Sequence, residues 1–328
     1  MEEAEKLFYL NGSSPVLTYA SDVSSVFSKH SAVDFSLERV AERLISVPDP
    51  APIQAAVVSG RELLKAMIEY VRLLGVENHV IFRQTHHALA LANVLKPGSG
   101  SSDRRLIVNY NPDATMPLSL VPGICAHELG THLLRMLNDD LQVWRGAGRK
   151  TYRLAGHMAT EEGLATLNTL VASNEHSLRH SALNYWAVCQ GARLSFSDLY
   201  FRLEPFISDA SKRFRLCVRV KRGLVHTENP GACTLDQNYF RGAVDILRNL
   251  ECTDLRLLYC GQVARTDVER FKHLITVHGV RLPPFLDGEA EYQKHVRSLV
   301  RIRELNGVPA PSLVPRPLRS AGTLDDVK

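Results

Sequence analysis

Cysteine is sparse in this chain: six occur in 328 residues, at 125, 189, 217, 233, 252 and 260, with no C-x-x-C pair among them. That is too few, and too scattered, for a disulfide scaffold, so reduced and mostly buried thiols are expected. No apolar run reaches the roughly 18 residues a membrane span needs. The first residues, MEEAEKLFYLNGSS, are acidic where a secretory leader is basic. Both absences point to an intracellular, cytoplasmic protein with no membrane partner. An excess of one charge is also missing. The net charge of +4 and pI near 8.7 suit an acidic partner but are too weak to indicate nucleic acid. There is no internal repeat and no long linker.

What the chain does have is size and apolar content: 45% of its residues are hydrophobic and 23% charged, enough to bury a substantial core. Leu37, Val40, Leu44 and Ile45 are spaced as a helix, with Asp34 or Ser36 as cap. PDPAP at 48–52 breaks it. A second helical stripe then runs from Ile53 to Leu74 through Val57, Leu64, Met67, Ile68 and Val71. HVIFRQ (79–84) and RRLIVNYN (104–111) read as short strands, with KPGSGSSD as an exposed loop between them. Apolar periodicity predicts further helices over roughly 119–137, 160–173, 181–190, 195–216, 234–250, 267–277 and 289–303. The last residues, GVPAPSLVPRPLRSAGTLDDVK, are rich in proline and small polar residues. The expected organisation is one mainly helical α+β domain over 1–306, with a small sheet and a loosely held tail over 307–328.

The stretch HELGTH, His127 to His132, departs from the H-E-x-x-H pattern of zinc peptidases by one residue. Four residues turn a side chain by about 40° around an α-helix, whereas five turn it by about 140°. On a regular helix the two histidines cannot share a metal. An extra residue is accommodated as a π-bulge, a turn found mostly at functional sites, and through it residues five apart return to one face. Gly130, and a Thr131 hydroxyl returned to the backbone, lower the cost of that departure. The surrounding LVPGICAHELGTHLLRML is apolar enough to be buried, so its polar residues need partners, and a metal supplies them.

A catalytic zinc usually has three protein ligands and one open position. The third is sought in ATEEGLATL (159–167), which opens another apolar helix 30 residues beyond His132. Its Glu-Gly and small residues suit close helix approach. Glu162, directly before Gly163, resembles the third ligand of the gluzincin pattern N-E-G-x-A, with Glu161 supporting it or replacing it. His157 is the other alternative. Glu128 is then not a ligand but the general base, taking a proton from water and delivering it to the leaving amine. Tyr239 is the candidate donor to the oxyanion. A thiol mechanism through Cys125 is disfavoured, because positions i and i+2 on a helix point apart.

HELGTH, TEEGLA and RVKRGL…PG…DQNYFRG, in that order, resemble the microtubule-associated tyrosine carboxypeptidases over nearly the whole chain. The resemblance implies a gluzincin-like metallopeptidase domain with a π-bulged H-E-x-x-x-H helix. It also implies one Zn2+ per chain on His127, His132 and Glu162, Glu128 as base, and removal of the C-terminal tyrosine of the α-tubulin tail on microtubules. Two readings of the residues fit such a substrate. Arg219, Lys221 and Arg222 in RVKRGL offer charge to a terminal carboxylate and a Glu-rich tail. RLIVNYNP, just before the metal helix, offers a strand edge to an extended peptide. The alternatives are the same chemistry on another peptide, or a non-catalytic protein that binds acidic tails through the basic segment.

Overall fold

The structure, a computed structural model, describes residues 5, 8–9, 32–47, 56–86, 91–98 and 100–310. PDPAP at 48–52, and the expected tail from 311 onward, lie outside the described residues.

Among the described residues the protein is mainly helical, with two small sheets. In chain order, α1 (Glu38–Ile45) is followed by β1 (Val57–Ser59) and α2 (Gly60–Leu73). Then come β2 (Val80–Gln84), β3 (Ala92–Leu95), β4 (Leu106–Tyr110) and β5 (Thr115–Pro117). The motif helix runs as α3 (Val121–His127), a π segment (Glu128–Leu133) and α4 (Leu134–Asp139). After the single turn α5 (Gly148–Thr151), the remaining helices are α6 (Met158–Ala172), α7 (Arg179–Gly191), α8 (Phe196–Arg202) and α9 (Ala210–Lys221). They end with α10 (Gln237–Arg248), α11 (Arg265–Phe271) and α12 (Glu289–Leu305). Among the described residues, no helix is long and apolar enough to cross a membrane. All six cysteines are unpaired and five are buried.

Several sequence expectations shift. Of the helix expected from Ile53, residues 53–55 lie outside the described residues, and the helix described starts at Gly60. Val57, placed in its stripe, is 65% exposed on a strand paired antiparallel with β5. The start is set by Ser59, whose hydroxyl accepts from the Glu62 N–H while the Glu62 carboxylate accepts from the Ser59 N–H. This reciprocal cap satisfies two otherwise free amides. The helix expected over 195–216 is two helices, α8 and α9. Pro205 stands between them, and Ser195 and Asp209 cap each start. Helix α11 begins at 265 and ends at Phe271, before a single 3-10 turn.

The strand reading needs a larger correction. RLIVNYNP contributes β4, which is the centre of a three-stranded sheet, parallel to β2 and antiparallel to β3. All five residues of β4 are buried and both of its edges are paired, so it offers no edge to a peptide. The strand that packs against the π segment is β3, which the sequence reading missed.

The core is centred on α7, buried on all sides from Ser181 to Cys189 and packed against α1, α9 and α10, while α6 bridges α10 and the motif helix. The crossing of α6 and α10 is unusually close. A Cβ on Gly163 would lie 2.5 Å from the Gly242 Cα, and one on Gly242 would overlap the Ala159 carbonyl oxygen. Only a glycine pair permits this approach. It brings Glu162, one residue before Gly163, alongside Tyr239, one turn before Gly242.

Candidate metal centre

The motif helix departs from α geometry where the site is. Residues Glu128 to Leu133 form a π-turn, and the His127 and His132 rings lie on one side of it, 4.9 Å apart between centroids. Widening the turn frees the Ala126 carbonyl, and the Thr131 hydroxyl donates to it at 2.8 Å. That hydroxyl accepts in turn from the Asn168 amide of α6, which also donates to the Tyr259 hydroxyl. The cost of the π-turn is thus met by a buried hydrogen-bond chain. Gly130 does not take a left-handed conformation. Its role is space, since a Cβ there would lie 2.8 Å from the Tyr70 hydroxyl.

Each histidine is held through Nδ1. The Thr169 hydroxyl donates to the Ala165 carbonyl at 2.8 Å, so it meets the His127 Nδ1, 3.0 Å away, as an acceptor. The His132 Nδ1 is 2.9 Å from the Glu161 Oε1. With hydrogen placed on both Nδ1 atoms by these partners, both Nε2 atoms face the metal position, where on His132 a metal would replace the proton that Glu161 and Glu162 hold there against burial. The two Nε2 atoms point at the same atom: Glu162 Oε2 lies 3.8 Å from the His127 Nε2 and 3.6 Å from the His132 Nε2. That oxygen is buried and has no hydrogen-bond partner.

Two imidazole nitrogens and a carboxylate oxygen, all within 4.8 Å of one another, fit a metal ion. An unpartnered buried carboxylate oxygen such as that of Glu162 is one that a cation would satisfy. Glu161 is not positioned as a ligand, because its second oxygen is 2.5 Å from the buried Arg135 guanidinium. His157 lies against Arg149 instead, at 3.3 Å, and burial pushes its pKa down to about 4.

Glu128, between the two histidines, carries a carboxyl pushed up to about 7 by burial, against the pull of His132 and with the help of Glu162. A carboxylate near 7 is poised to take and return a proton. The Tyr239 ring lies nearly parallel to His127, with centroids 6.4 Å apart. Its hydroxyl is held protonated, well above the usual phenol range, by burial and by the charges of Glu162, Asp236 and Glu128 against that of Arg219. The Cys125 thiol is pushed up to about 12 by burial, which makes it inert as a nucleophile.

The basic segment does not act as one unit. Lys221 is fully buried, and its ammonium shares its three N–H donors among the carbonyls of Gly191, Leu194, Asn229 and Gly231. It ties loops together and cannot reach a substrate. Arg219 and Arg222 both grip the buried Asp236 in bidentate fashion. The Arg222 side chain is only 9% exposed, whereas that of Arg219 is 42% exposed. Two cations on one anion leave a surplus positive charge, and Arg219 is the member that presents it. The sequence reading missed Thr169, Arg135 and Gly242. Thr169, seven residues after Glu162 and on the same helix face, was open to discovery by spacing.

Two imidazoles and a carboxylate on adjoining helices, with a second carboxyl beside them, define a candidate metal centre of hydrolytic type. The family that the chain matches is named for a hydrolytic activity. Residues 39–305 match the sequence model of the family described as microtubule-associated tyrosine carboxypeptidase, and the chain belongs to that family. Human microtubule-associated tyrosine carboxypeptidase 1 is 35% identical over 195 residues, covering 59% of this chain and 41% of the human protein. The rat protein of the same name is 34% identical over 195 residues, with 59% and 42% covered. Mouse MATCAP2 is 34% identical over 215 residues, with 63% and 41% covered. The chain spans less than half the length of these curated relatives.

Proposed function

We propose that this chain is a zinc-dependent carboxypeptidase that removes the C-terminal tyrosine of an acidic peptide, the α-tubulin tail, in the cytoplasm and on microtubules. One gluzincin-like metallopeptidase domain over 1–306 carries the reaction. The observation behind this reading is the convergence of His127 Nε2, His132 Nε2 and the unpartnered Glu162 oxygen. A His₂Glu set with a further open position is a zinc arrangement suited to hydrolysis. Zinc, when bound, supplies a Lewis acid that acidifies water and polarises a carbonyl.

The protein's own groups do the rest. Glu128 accepts the proton of the attacking water and passes it to the leaving tyrosine amine, a role supported by its elevated pKa. The Tyr239 hydroxyl donates to the oxygen on which negative charge develops. Arg219, held in place by Asp236, pairs with the terminal carboxylate of the substrate. With Lys221 and Arg222 committed to internal partners, the reading of this segment as a passive acidic-tail binder loses its support.

The test is metal content together with a panel of peptides that differ only in their C-terminal residue. One zinc per chain, lost in His132→Ala, and preference for a terminal tyrosine are expected. Zinc with a different terminal preference would keep the chemistry and replace the substrate. Absence of zinc from the folded protein would end the metallopeptidase reading.

A further inference from the structure

An arginine within an apolar helix must find an acceptor for each of its guanidinium nitrogens, because burying the charge unpaired is prohibitive. Arg135, one turn after His132, is fully buried and does so. Its Nε donates to the Leu258 carbonyl and its Nη2 to the Val263 carbonyl, both at 2.8 Å. Its Nη1 donates to Glu161 Oε2 at 2.5 Å. The other oxygen of Glu161 faces the His132 Nδ1 at 2.9 Å.

We propose that Arg135 and Glu161 form a positioning relay that fixes the proton of His132 on Nδ1 and aims its Nε2 at the metal position. This inference rests on the metal-centre reading above. A carboxylate held by a guanidinium is an acceptor at both oxygens, so the nitrogen facing it must carry the hydrogen. The lone pair is then left on Nε2. The fork of an arginine is needed because three acceptors in different directions, two of them backbone carbonyls of the 258–263 stretch, are held at once. The single nitrogen of a lysine does not span them. The relay therefore sets the position of the histidine relative to that stretch as well as its tautomer. His127 differs, since a neutral hydroxyl, that of Thr169, holds its Nδ1. Only His132 has a carboxylate behind it, the arrangement that raises the basicity of a metal-binding imidazole.

Glu161→Gln separates this role from simple packing, because the two side chains have the same shape. Arg135 requires an acceptor, so the amide oxygen turns towards it and the NH₂ group faces His132. An NH₂ donor there moves the imidazole hydrogen to Nε2, the nitrogen needed for the metal. The experiment measures zinc affinity by chelator competition on wild type, Glu161→Gln and Glu162→Gln. Melting of the metal-free proteins is followed in parallel, together with the ¹⁵N-resolved imidazole resonances of zinc-loaded wild type. The expected result is a loss of about 10–100-fold in affinity for Glu161→Gln, and in wild type an exchange-protected proton on the His132 Nδ1. Glu161→Gln binding zinc within about twofold of wild type while Glu162→Gln does not bind would overturn the relay. So would a zinc-loaded wild type with no proton on that nitrogen, a result that needs no variant to fold. A wild type that takes up no zinc would overturn the metal-centre reading itself, and the relay with it.

Discussion

Replacing Gly242 by alanine sets two general effects against each other, and the structure decides the sign. In an ordinary helix interior alanine is better than glycine by about 0.8–1.0 kcal/mol, so the propensity of α10 alone predicts stabilisation. At this position, however, the added carbon would overlap the Ala159 carbonyl and lie 2.9 Å from the Gly163 Cα. Carbon atoms prefer about 3.5–4.0 Å, so α6 and α10 must separate by roughly 1–2 Å along their closest approach. Everything in the way is backbone, so no side chain can yield. The cost belongs at or beyond the upper end of the ~1–3 kcal/mol seen for overpacked cores. After the gain in propensity, a net loss of about 2 kcal/mol remains. At about 2–4 °C per kcal/mol for proteins of comparable size, the melting temperature should fall by roughly 4–8 °C. Zinc affinity should fall with it, because Glu162 and Tyr239 sit on the two helices being forced apart. Thermal melts and chelator competition on the variant, beside Gly156→Ala as a control with nothing within 4 Å of the new carbon, test this. A Gly242→Ala protein that melts at or above wild type would refute the argument.

Other consequences follow from single side chains. Thr169→Val removes the acceptor of the His127 Nδ1 and should weaken zinc binding about 10–100-fold, read by chelator competition, with secondary structure retained by circular dichroism. Lys221→Met leaves four carbonyls without their donor and should destabilise the protein by at least about 3 kcal/mol in urea unfolding, while the KM of the folded fraction stays unchanged. An increase in KM there would restore Lys221 to the substrate site. His295 is buried with neither ring nitrogen bonded, and burial holds its pKa at about 4. The unfolded chain titrates near 6.5 and binds the proton first, so stability is full above about pH 6.5 and declines towards pH 4, by roughly 3 kcal/mol in all for this group. In His295→Phe that part of the acid slope should vanish, and an unchanged slope would show that His295 is not its source.

The cluster of His127, His132 and Glu162 was legible because the spacing of its histidines violates a rule. Histidines five apart in an apolar segment make sense only if the helix is distorted, and Glu-Gly in the next suitable helix predicts a close crossing. The hydroxyl of Thr131, expected to return to the backbone, does so at Ala126. The internal partners of the basic segment were not legible, because sequence carries no burial. Nothing in RVKRGL says that Lys221 points inward, or that Asp236, fourteen residues beyond Arg222, engages two guanidiniums. The error at β4 has a similar cause: alternation identifies a strand but not its place in the sheet, and β3 is only four residues long. Val57 fell on the stripe of α2 by coincidence of register. The Ser59 and Glu62 pair, a cap visible three residues apart, marked the true start.

The most direct test of the central claim is mass spectrometry of a tyrosine-ended α-tubulin tail peptide incubated with the zinc-loaded protein, beside Glu128→Gln loaded in the same way. The account predicts the loss of one tyrosine residue with wild type, and an intact peptide with a variant that still holds its zinc. Equal cleavage by the variant would contradict the role of Glu128. An intact peptide with zinc-loaded wild type would contradict the proposed substrate.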